Sequence, residues 1–175
     1  IRSIIEAGAV GINIEDFVHA TKKLIPMEAQ VEKLGAIKQL SQSMGVPLVI
    51  NARTDALRYF PGDEIAKLEE AVRRAKAYRD VGSDCVYPMG LTDAMSISKF
   101  VKALNFPVNV MVRPGLPSVR ELERLGVARV SLGPTASYAA MGLLTRIAKE
   151  LLERGTYRTL LEGAITIDEL NRLAL

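Results

Sequence analysis

Apolar and polar positions follow one repeated order along the chain. A short apolar run leads into a polar loop, then an amphipathic stretch with apolar residues three to four positions apart, then another apolar run. The short runs predict buried parallel strands, and the amphipathic stretches predict the helices that cover them. The predicted strands are Val10–Ile14, Pro47–Asn51, Asp84–Tyr87, Pro107–Met111 and Ala128–Leu132. The predicted helices are Met27–Ser43, Asp63–Val81, Thr92–Leu104, Ser118–Leu125, Thr135–Arg154 and Ile167–Ala174.

Several predicted helix ends carry recognisable signals. Asp63 and Thr92 are predicted to cap helix starts, because a short polar side chain can accept a hydrogen bond from a free backbone N–H group. Three glycines between a helix and the next strand are predicted to be left-handed caps: Gly45, Gly82 and Gly126. Residues 1–8 have the pattern of the last turns of a helix, without an initiator methionine. We therefore expect the chain to be part of a longer protein.

Polar residues occupy one of the two alternating faces in three of the strands. They are Asn13 and Glu15, Asn51 and Arg53, and Asn109 and Arg113. A sheet covered by helices on both faces would be apolar on both, whereas the inside of a barrel becomes polar toward its catalytic mouth. We therefore predict an α/β fold, a (β/α)8 TIM-type barrel. The chain, as a single domain of residues 1–175, would supply about the last five βα units and the C-terminal helices. An open five-stranded α/β domain is the alternative.

Composition narrows the class of protein. The chain is 49% hydrophobic and 25% charged, which is typical of a soluble globular domain. Its net charge of +3 is small and spread along the chain, so it favours small anionic ligands over nucleic acid. The single cysteine, Cys85, excludes an internal disulfide and indicates a reducing, cytoplasmic location. No apolar run approaches the length of a membrane span.

Two strand ends carry the main candidates for chemistry. Arg53 offers a planar fork for a carboxylate or phosphate, and Asp55 is placed either to orient it or to cap the segment that follows. Glu15, with Asp16 beside it, offers a carboxylate that could hold Mg²⁺ directly or through water. The alternative is an ion pair between Arg53 and Glu15 inside the barrel.

Other residues leave two interpretations open. Asn51 and Asn109 are unusual in strand interiors, which indicates a specific hydrogen bond either to a ligand or within the barrel. The loop with His19, Lys22 and Lys23 either closes over an anionic substrate or is solvated. Arg113, which leaves its strand before a Pro-Gly pair, is either an anion-binding residue or an exposed loop arginine. Cys85 lies in a strand and is predicted to be a small core residue rather than a nucleophile.

Several short sequence motifs, in their order along the chain, resemble those of the isocitrate lyase/phosphoenolpyruvate mutase superfamily. They are Gly-Ile-Asn-Ile-Glu-Asp at 11–16, Ile-Asn-Ala-Arg-Thr-Asp at 50–55, Asp-Cys-Val-Tyr-Pro-Met-Gly at 84–90, Pro-Val-Asn-Val-Met at 107–111 and Gly-Val-Ala-Arg-Val-Ser-Leu-Gly at 126–133. The resemblance implies a (β/α)8 barrel, often in tetramers that exchange their last helix. It also implies Mg²⁺ and a 2-oxo acid or its enolate, with C–C or P–C bonds made or broken.

The resemblance assigns roles to individual residues. Glu15 matches a glutamate of the Mg²⁺ shell, and Arg53 matches the arginine that grips the substrate. The main metal-binding aspartates of the superfamily lie on earlier strands than those of this chain. The Lys-Lys/Arg-Cys-Gly-His loop of isocitrate and methylisocitrate lyases is absent here, and Met89-Gly90 replaces the glutamate that methylisocitrate lyases carry.

We therefore predict a Mg²⁺-dependent lyase, mutase or hydrolase that acts on a small anionic 2-oxo acid through an enolate. The phosphonomutase or oxaloacetate/phosphonopyruvate hydrolase branch is favoured, and a typical isocitrate or methylisocitrate lyase is not. The predicted substrate-binding residues are Arg53, Asn51 and Asn109, with Arg53 also catalytic and Glu15 at the metal. We expect a homo-oligomer, dimeric or tetrameric, that binds neither nucleic acid nor membrane. The alternative is a catalytically inactive barrel that serves as a binding or assembly subunit.

Overall fold

A computed structural model describes residues 1–173, which form two compact units, Ile1–Leu132 and a second that begins at Gly133. The strands, all in the first unit, are β1 (Gly11–Glu15), β2 (Phe17–Val18), β3 (Lys23–Leu24), β4 (Val49–Thr54), β5 (Cys85–Pro88), β6 (Asn109–Met111) and β7 (Arg129–Ser131). Its helices are α1 (Arg2–Glu6), α2 (Met27–Ser43), α3 (Ala56–Tyr59), α4 (Glu64–Asp80), α5 (Ala94–Leu104) and α6 (Val119–Arg124). That the chain is a single domain stays a prediction.

The main strands of the first unit run parallel and stand in chain order. β1, β4 and β5 form one sheet, and β6 pairs with β7. A parallel bridge between Val86 and Val108 joins β5 to β6. The neighbour order is therefore β1-β4-β5-β6-β7, without the reversal that marks a doubly wound sheet. This order is typical of a barrel wall.

The core of the first unit lies on one face of these strands. Ile50 and Ala52 of β4 pack with residues of α2 and α4, and Val86, Val108 and Val110 pack with residues of α4, α5 and α6. Within residues 1–132, the helices thus cover the face of the sheet on which the sequence predicts the apolar strand residues. The two-sided cover that an open sheet requires is not found in this unit. The other face carries the polar parity.

Most predicted elements are confirmed, and the deviations have physical causes. β4 runs to Thr54 rather than ending at Asn51, because Arg53 and Thr54 pair with Tyr87 and Pro88 of β5. The strand therefore carries the arginine inside its ladder and not in the following loop.

The helix caps are confirmed in part. The Asp63 carboxylate accepts a hydrogen bond from the Ala66 N–H at 2.9 Å, as predicted. The cap predicted at Thr92 is wrong, since Asp93 accepts the Ser96 N–H at 2.8 Å and α5 begins after it. The glycines predicted as left-handed caps have φ values of +69°, +102° and +85°, in the order Gly45, Gly82, Gly126.

Some elements were not predicted. β2 and β3 form an antiparallel hairpin directly after β1, with Lys22 in the left-handed region at φ +54°. Two-residue strands and the four-residue α3 are too short to produce a hydrophobic period.

The second unit is helical. It contains α7 (Thr135–Arg154), α8 (Arg158–Leu161) and α9 (Ile167–Leu173). Glu150 closes the turn between α7 and α8: its carboxylate accepts hydrogen bonds from the Thr156 hydroxyl at 2.6 Å and from the Thr159 N–H at 2.8 Å. These bonds lower the pKa of Glu150 to about 2. Ala174, the predicted last residue of α9, lies outside the described residues. No helix within residues 1–173 is long and apolar enough to cross a membrane.

A buried carboxylate joins the sheet of the first unit to its helices. Asp16, fully buried after β1, accepts hydrogen bonds from the Thr54 hydroxyl at 2.8 Å and the Tyr78 hydroxyl at 2.7 Å. The Arg74 guanidinium donates to the same carboxylate at 3.0 Å, and the Asp55 N–H donates at 2.8 Å. Burial, and then the charge of Asp16, raise the pKa of Tyr78, so its hydroxyl stays a donor. The ends of β1 and β4 and the middle of α4 are thereby held at one point.

We expect the substitution Asp16→Asn to destabilise the fold strongly. It removes the buried ion pair between Asp16 and Arg74, although Arg74 keeps Glu70 as its other partner, and breaking a buried ion pair costs about 3–5 kcal/mol. The free energy of unfolding, measured by urea denaturation of the full-length protein, should fall by that order. Asp80→Asn is the matched control, because Asp80 pairs with Arg79 at the surface and its loss should barely move the midpoint. Equal effects from the two substitutions would contradict this role of Asp16.

Candidate active site

Three polar residues of the candidate site lie side by side in one row across neighbouring strands of the sheet. Glu15 pairs with Arg53 across β1 and β4, and Arg53 pairs with Tyr87 across β4 and β5. Side chains alternate along a strand, so these three point to the face opposite the helix-covered core. They lie near the carboxyl ends of parallel strands, where α/β enzymes build their sites.

The Arg53 side chain is held from two sides. Its Nε and Nη2 donate to the Asp55 carboxylate at 2.7 and 2.9 Å, and its Nη1 lies 2.9 Å from Glu15 Oε2. Burial acts to lower the pKa of Arg53, but the hydrogen bond and charge of Asp55 outweigh it and the pKa is raised. The guanidinium is therefore a fixed positive charge, with 15% of its side chain exposed.

Asp55 connects this arginine to the buried network of the fold. Its side chain is fully buried, and its backbone N–H donates to Asp16 at 2.8 Å. Arg58 approaches the same carboxylate at 3.3 Å. Asp55 thus orients Arg53, as the sequence suggested, and its own position is set by Asp16.

Both carboxylate oxygens of Glu15 are engaged. Oε2 faces Arg53, and Oε1 lies 2.6 Å from His19 Nε2 in the β2–β3 hairpin. Phe17, in the same hairpin, stacks on Tyr59 at 4.0 Å between ring centroids, which fixes the hairpin against α3. The ion pair between Arg53 and Glu15, left open by the sequence, is therefore present. His19, Lys22 and Lys23 are all exposed.

The described residues do not by themselves form a metal site. Residues 1–173 contain no group of three His, Cys, Asp or Glu side chains placed to hold an ion. Asp16 and Asp55 are fully buried and bonded to arginines, whereas the Glu15 side chain is 26% exposed. Glu15 alone fits a place at the edge of a Mg²⁺ site, because Mg²⁺ keeps several waters and needs few carboxylates.

The two predicted asparagines sit in different surroundings. Asn51 donates to the Asn13 side chain at 3.1 Å, and its buried Oδ1 has no partner within residues 1–173. Asn109 is fully buried and accepts from Arg129 at 2.9 Å and donates to Ser131 at 3.3 Å. Asn51 therefore retains a free acceptor for a ligand, whereas Asn109 belongs to an interior network. Their substrate-binding role stays a prediction.

A phenol and two thioethers form the wall beside Arg53, and of these the sequence singled out only Met89, as the replacement of a glutamate. The Tyr87 hydroxyl donates to the Met89 sulfur at 2.7 Å and lies 3.2 Å from the Met111 sulfur. The Arg53 guanidinium carbon lies 5.8 Å from the centre of the Tyr87 ring, within cation–π range. Burial raises the pKa of Tyr87, so the phenol remains protonated. Applying the same alternation of polar and apolar faces to β5 would have placed Tyr87 on the polar face.

Cys85 is a buried strand residue, as predicted. Burial raises the pKa of its thiol, opposed by the charge of Arg129. A raised pKa keeps the thiol protonated at neutral pH, and the thiolate is the reactive form.

We expect Cys85 to resist alkylation in the native protein. Iodoacetamide at pH 7.5 should leave it unmodified by mass spectrometry, whereas the same reagent in 6 M guanidinium should modify it fully. The protection should weaken as the pH rises toward the raised pKa. Rapid native labelling at pH 7.5 would show that the thiol is accessible and ionised.

The phosphoenolpyruvate phosphomutase family model matches residues 1–152. The chain is 32% identical over 186 residues to the petal death protein of Dianthus caryophyllus, covering 99% of this chain and 55% of that protein. It is 30% identical over 182 residues to the oxaloacetate decarboxylase of Marinomonas sp. (strain MWYL1), covering 97% and 58%.

A solved structure, phosphonopyruvate hydrolase in complex with oxalate and Mg²⁺, superposes with a TM-score of 0.74. The two sequences are 25% identical, and the match covers 97% of this chain and 60% of that one. The chain spans about half the length of the curated relatives it matches.

Proposed function

This chain belongs to the phosphoenolpyruvate phosphomutase family, and we propose that its protein is a Mg²⁺-dependent enzyme acting on a small 2-oxo acid. The resemblance to the isocitrate lyase/phosphoenolpyruvate mutase superfamily predicted from the motifs is confirmed. The proposed reaction forms or cleaves a C–C or P–C bond through an enolate. Oxaloacetate and phosphonopyruvate are the proposed candidate substrates.

The observation that carries this proposal is the guanidinium of Arg53, fixed at the carboxyl end of β4. Asp55 occupies two of its five N–H groups, and its Nη1 also lies 2.9 Å from Glu15 Oε2. A substrate carboxylate can take a charge-assisted hydrogen bond from the remaining donors. The side chain is already oriented by Asp55, so little ordering is needed on binding.

The residues of this chain have distinct tasks in the proposed reaction. Mg²⁺, when bound, would supply the positive charge that stabilises an enolate oxygen, with Glu15 at the edge of its shell. Arg53 binds and orients the substrate carboxylate, and Asp55 positions Arg53. The wall of Tyr87, Met89 and Met111 limits water on the β5–β6 side of the site.

We propose that in the full-length protein the parallel strands form part of a closed (β/α)8 barrel. The chain-order pairing and the one-sided helix cover support this proposal. We also propose a homo-oligomer, dimeric or tetrameric, on the resemblance to the superfamily.

A second candidate function is a barrel without catalysis that serves as a binding or assembly subunit. One observation favours it: Glu15 is engaged by both Arg53 and His19, so neither carboxylate oxygen is free. The hairpin that carries His19 also stands where lyases of the superfamily carry a cysteine loop. Turnover separates the two functions.

We expect the full-length protein to turn over oxaloacetate or phosphonopyruvate in the presence of Mg²⁺ and to lose this activity in EDTA. Arg53→Met should lower kcat/KM by about 100-fold or more, because two charged hydrogen bonds to the substrate are lost. Consumption of the 2-oxo acid, followed by NMR spectroscopy, reports both effects whichever product forms.

Arg120→Met is the matched control, because Arg120 lies exposed on α6 away from this row. Unchanged turnover in Arg53→Met would refute the role of Arg53. No turnover of either compound by the unsubstituted protein with Mg²⁺ would favour the non-catalytic function.

A further inference from the structure

We propose that Arg113 is a second anion-binding residue of this site and makes it selective for substrates that carry a second negative charge. The inference rests on the proposed function, in which Arg53 holds the first carboxylate. The second group would be an oxyanion, a carboxylate or a phosphonate, at the far end of the same small molecule.

The backbone places Arg113 at the carboxyl end of the parallel strands. It lies two residues beyond Met111, the end of β6, and the Val112 N–H still donates to Ser131 of β7 at 2.8 Å. The turn that follows is closed by a hydrogen bond from the Leu116 N–H to the Arg113 carbonyl at 3.1 Å, with Gly115 at φ +89°. Arg113 therefore leaves a fixed strand end and not a free loop.

The side chain of Arg113 lies against the wall beside Arg53. Its Nη1 is 4.0 Å from the Met89 sulfur, which accepts the Tyr87 hydroxyl at 2.7 Å. The Arg53 guanidinium lies over the same Tyr87 ring. Burial raises the pKa of Tyr87, while the charges of Arg53 and then Arg113 oppose the rise. Both guanidinium groups thus border one Tyr87–Met89 pair.

Arg53 and Arg113 differ in the negative charges that lie beside them. Arg53 is neutralised by Glu15 and Asp55, and Arg58 also pairs with Asp55. Arg113 has no carboxylate oxygen within 4.0 Å in the described part of the chain. Its guanidinium instead lies 4.0 Å from the uncharged thioether sulfur of Met89.

A half-buried guanidinium without a counter-ion favours an anionic ligand, because its charge is partly desolvated and uncompensated. Met89 does not compensate it, since the sulfur 4.0 Å from the guanidinium carries no charge. A 2-oxo acid with one charge would engage Arg53 and leave Arg113 unpaired. A dianionic acid would satisfy both, and this difference is the proposed source of selectivity.

The test compares three ligands in the full-length protein with Mg²⁺. Oxaloacetate and phosphonopyruvate carry a distal carboxylate or phosphonate, and 2-oxobutyrate has a methyl group in its place. KM is measured for the first two, and the inhibition constant is measured for 2-oxobutyrate. Each is determined for Arg113→Met, Arg113→Lys and the control Arg120→Met, with melting temperatures to verify folding.

We expect Arg113→Met to raise the KM of at least one dianionic substrate by about 10- to 100-fold, the usual effect of losing a hydrogen bond between charged groups. The inhibition constant of 2-oxobutyrate should stay the same. Arg113→Lys should recover much of the loss because it keeps the charge, and Arg120→Met should have no effect. The substrate that responds identifies the distal group as carboxylate or phosphonate.

Two results would overturn the inference alone. One is an unchanged KM for both dianionic substrates in a folded Arg113→Met protein, and the other is equal weakening of 2-oxobutyrate. In both cases Arg53→Met should still weaken all three ligands, which leaves the proposed function intact. If the unsubstituted protein binds none of the three, the proposed function fails and the assignment of Arg113 fails with it.

Discussion

The buried carboxylate of Asp16 is the contact on which the rest of this structure depends. A charge removed from water must be paired and hydrogen-bonded, and Asp16 meets this condition with donors from Thr54, Asp55, Arg74 and Tyr78. These donors come from the end of β4 and from α4, so the carboxylate holds a strand end and a helix in one position. Because one donor is the backbone of Asp55, the same contact sets the residue that orients Arg53.

The candidate site is therefore a continuation of the fold's polar core rather than an addition to its surface. Arg53 takes its orientation from Asp55 and its charge balance from Glu15. Its neighbour Tyr87 continues this row on β5, and the Tyr87 hydroxyl contacts the sulfurs of Met89, just after β5, and Met111 on β6. The two sides of the site therefore differ in chemistry: β1 and β4 carry paired charges, whereas beyond β5 Arg113 has no carboxylate partner within residues 1–173. The ligand that we propose for this setting is a small anionic 2-oxo acid.

The order of strands and helices and the polar face were predictable because both depend on short-range periodicity. The alternation of Asn51 and Arg53 with Ile50 and Ala52 already separates the two faces of β4. Element boundaries depend on partners instead. β4 extends to Thr54 because it still pairs with β5 at that position. α5 starts after Asp93 because the Asp93 carboxylate accepts a hydrogen bond from the free N–H group of Ser96.

By itself, the sequence determined the βα order and the placing of Glu15 and Arg53 on the polar faces of their strands, since both follow from the local spacing of apolar and polar residues. It also carried the motifs that identify the family. Only the tertiary structure decided which partners the charged groups take. Arg74 donates to Asp16, 58 positions away in the chain, His19 lies against the second oxygen of Glu15, and Arg113 contacts the sulfur of Met89. Such contacts depend on the register of distant strands and on competition among several donors for one carboxylate, and no local pattern encodes either.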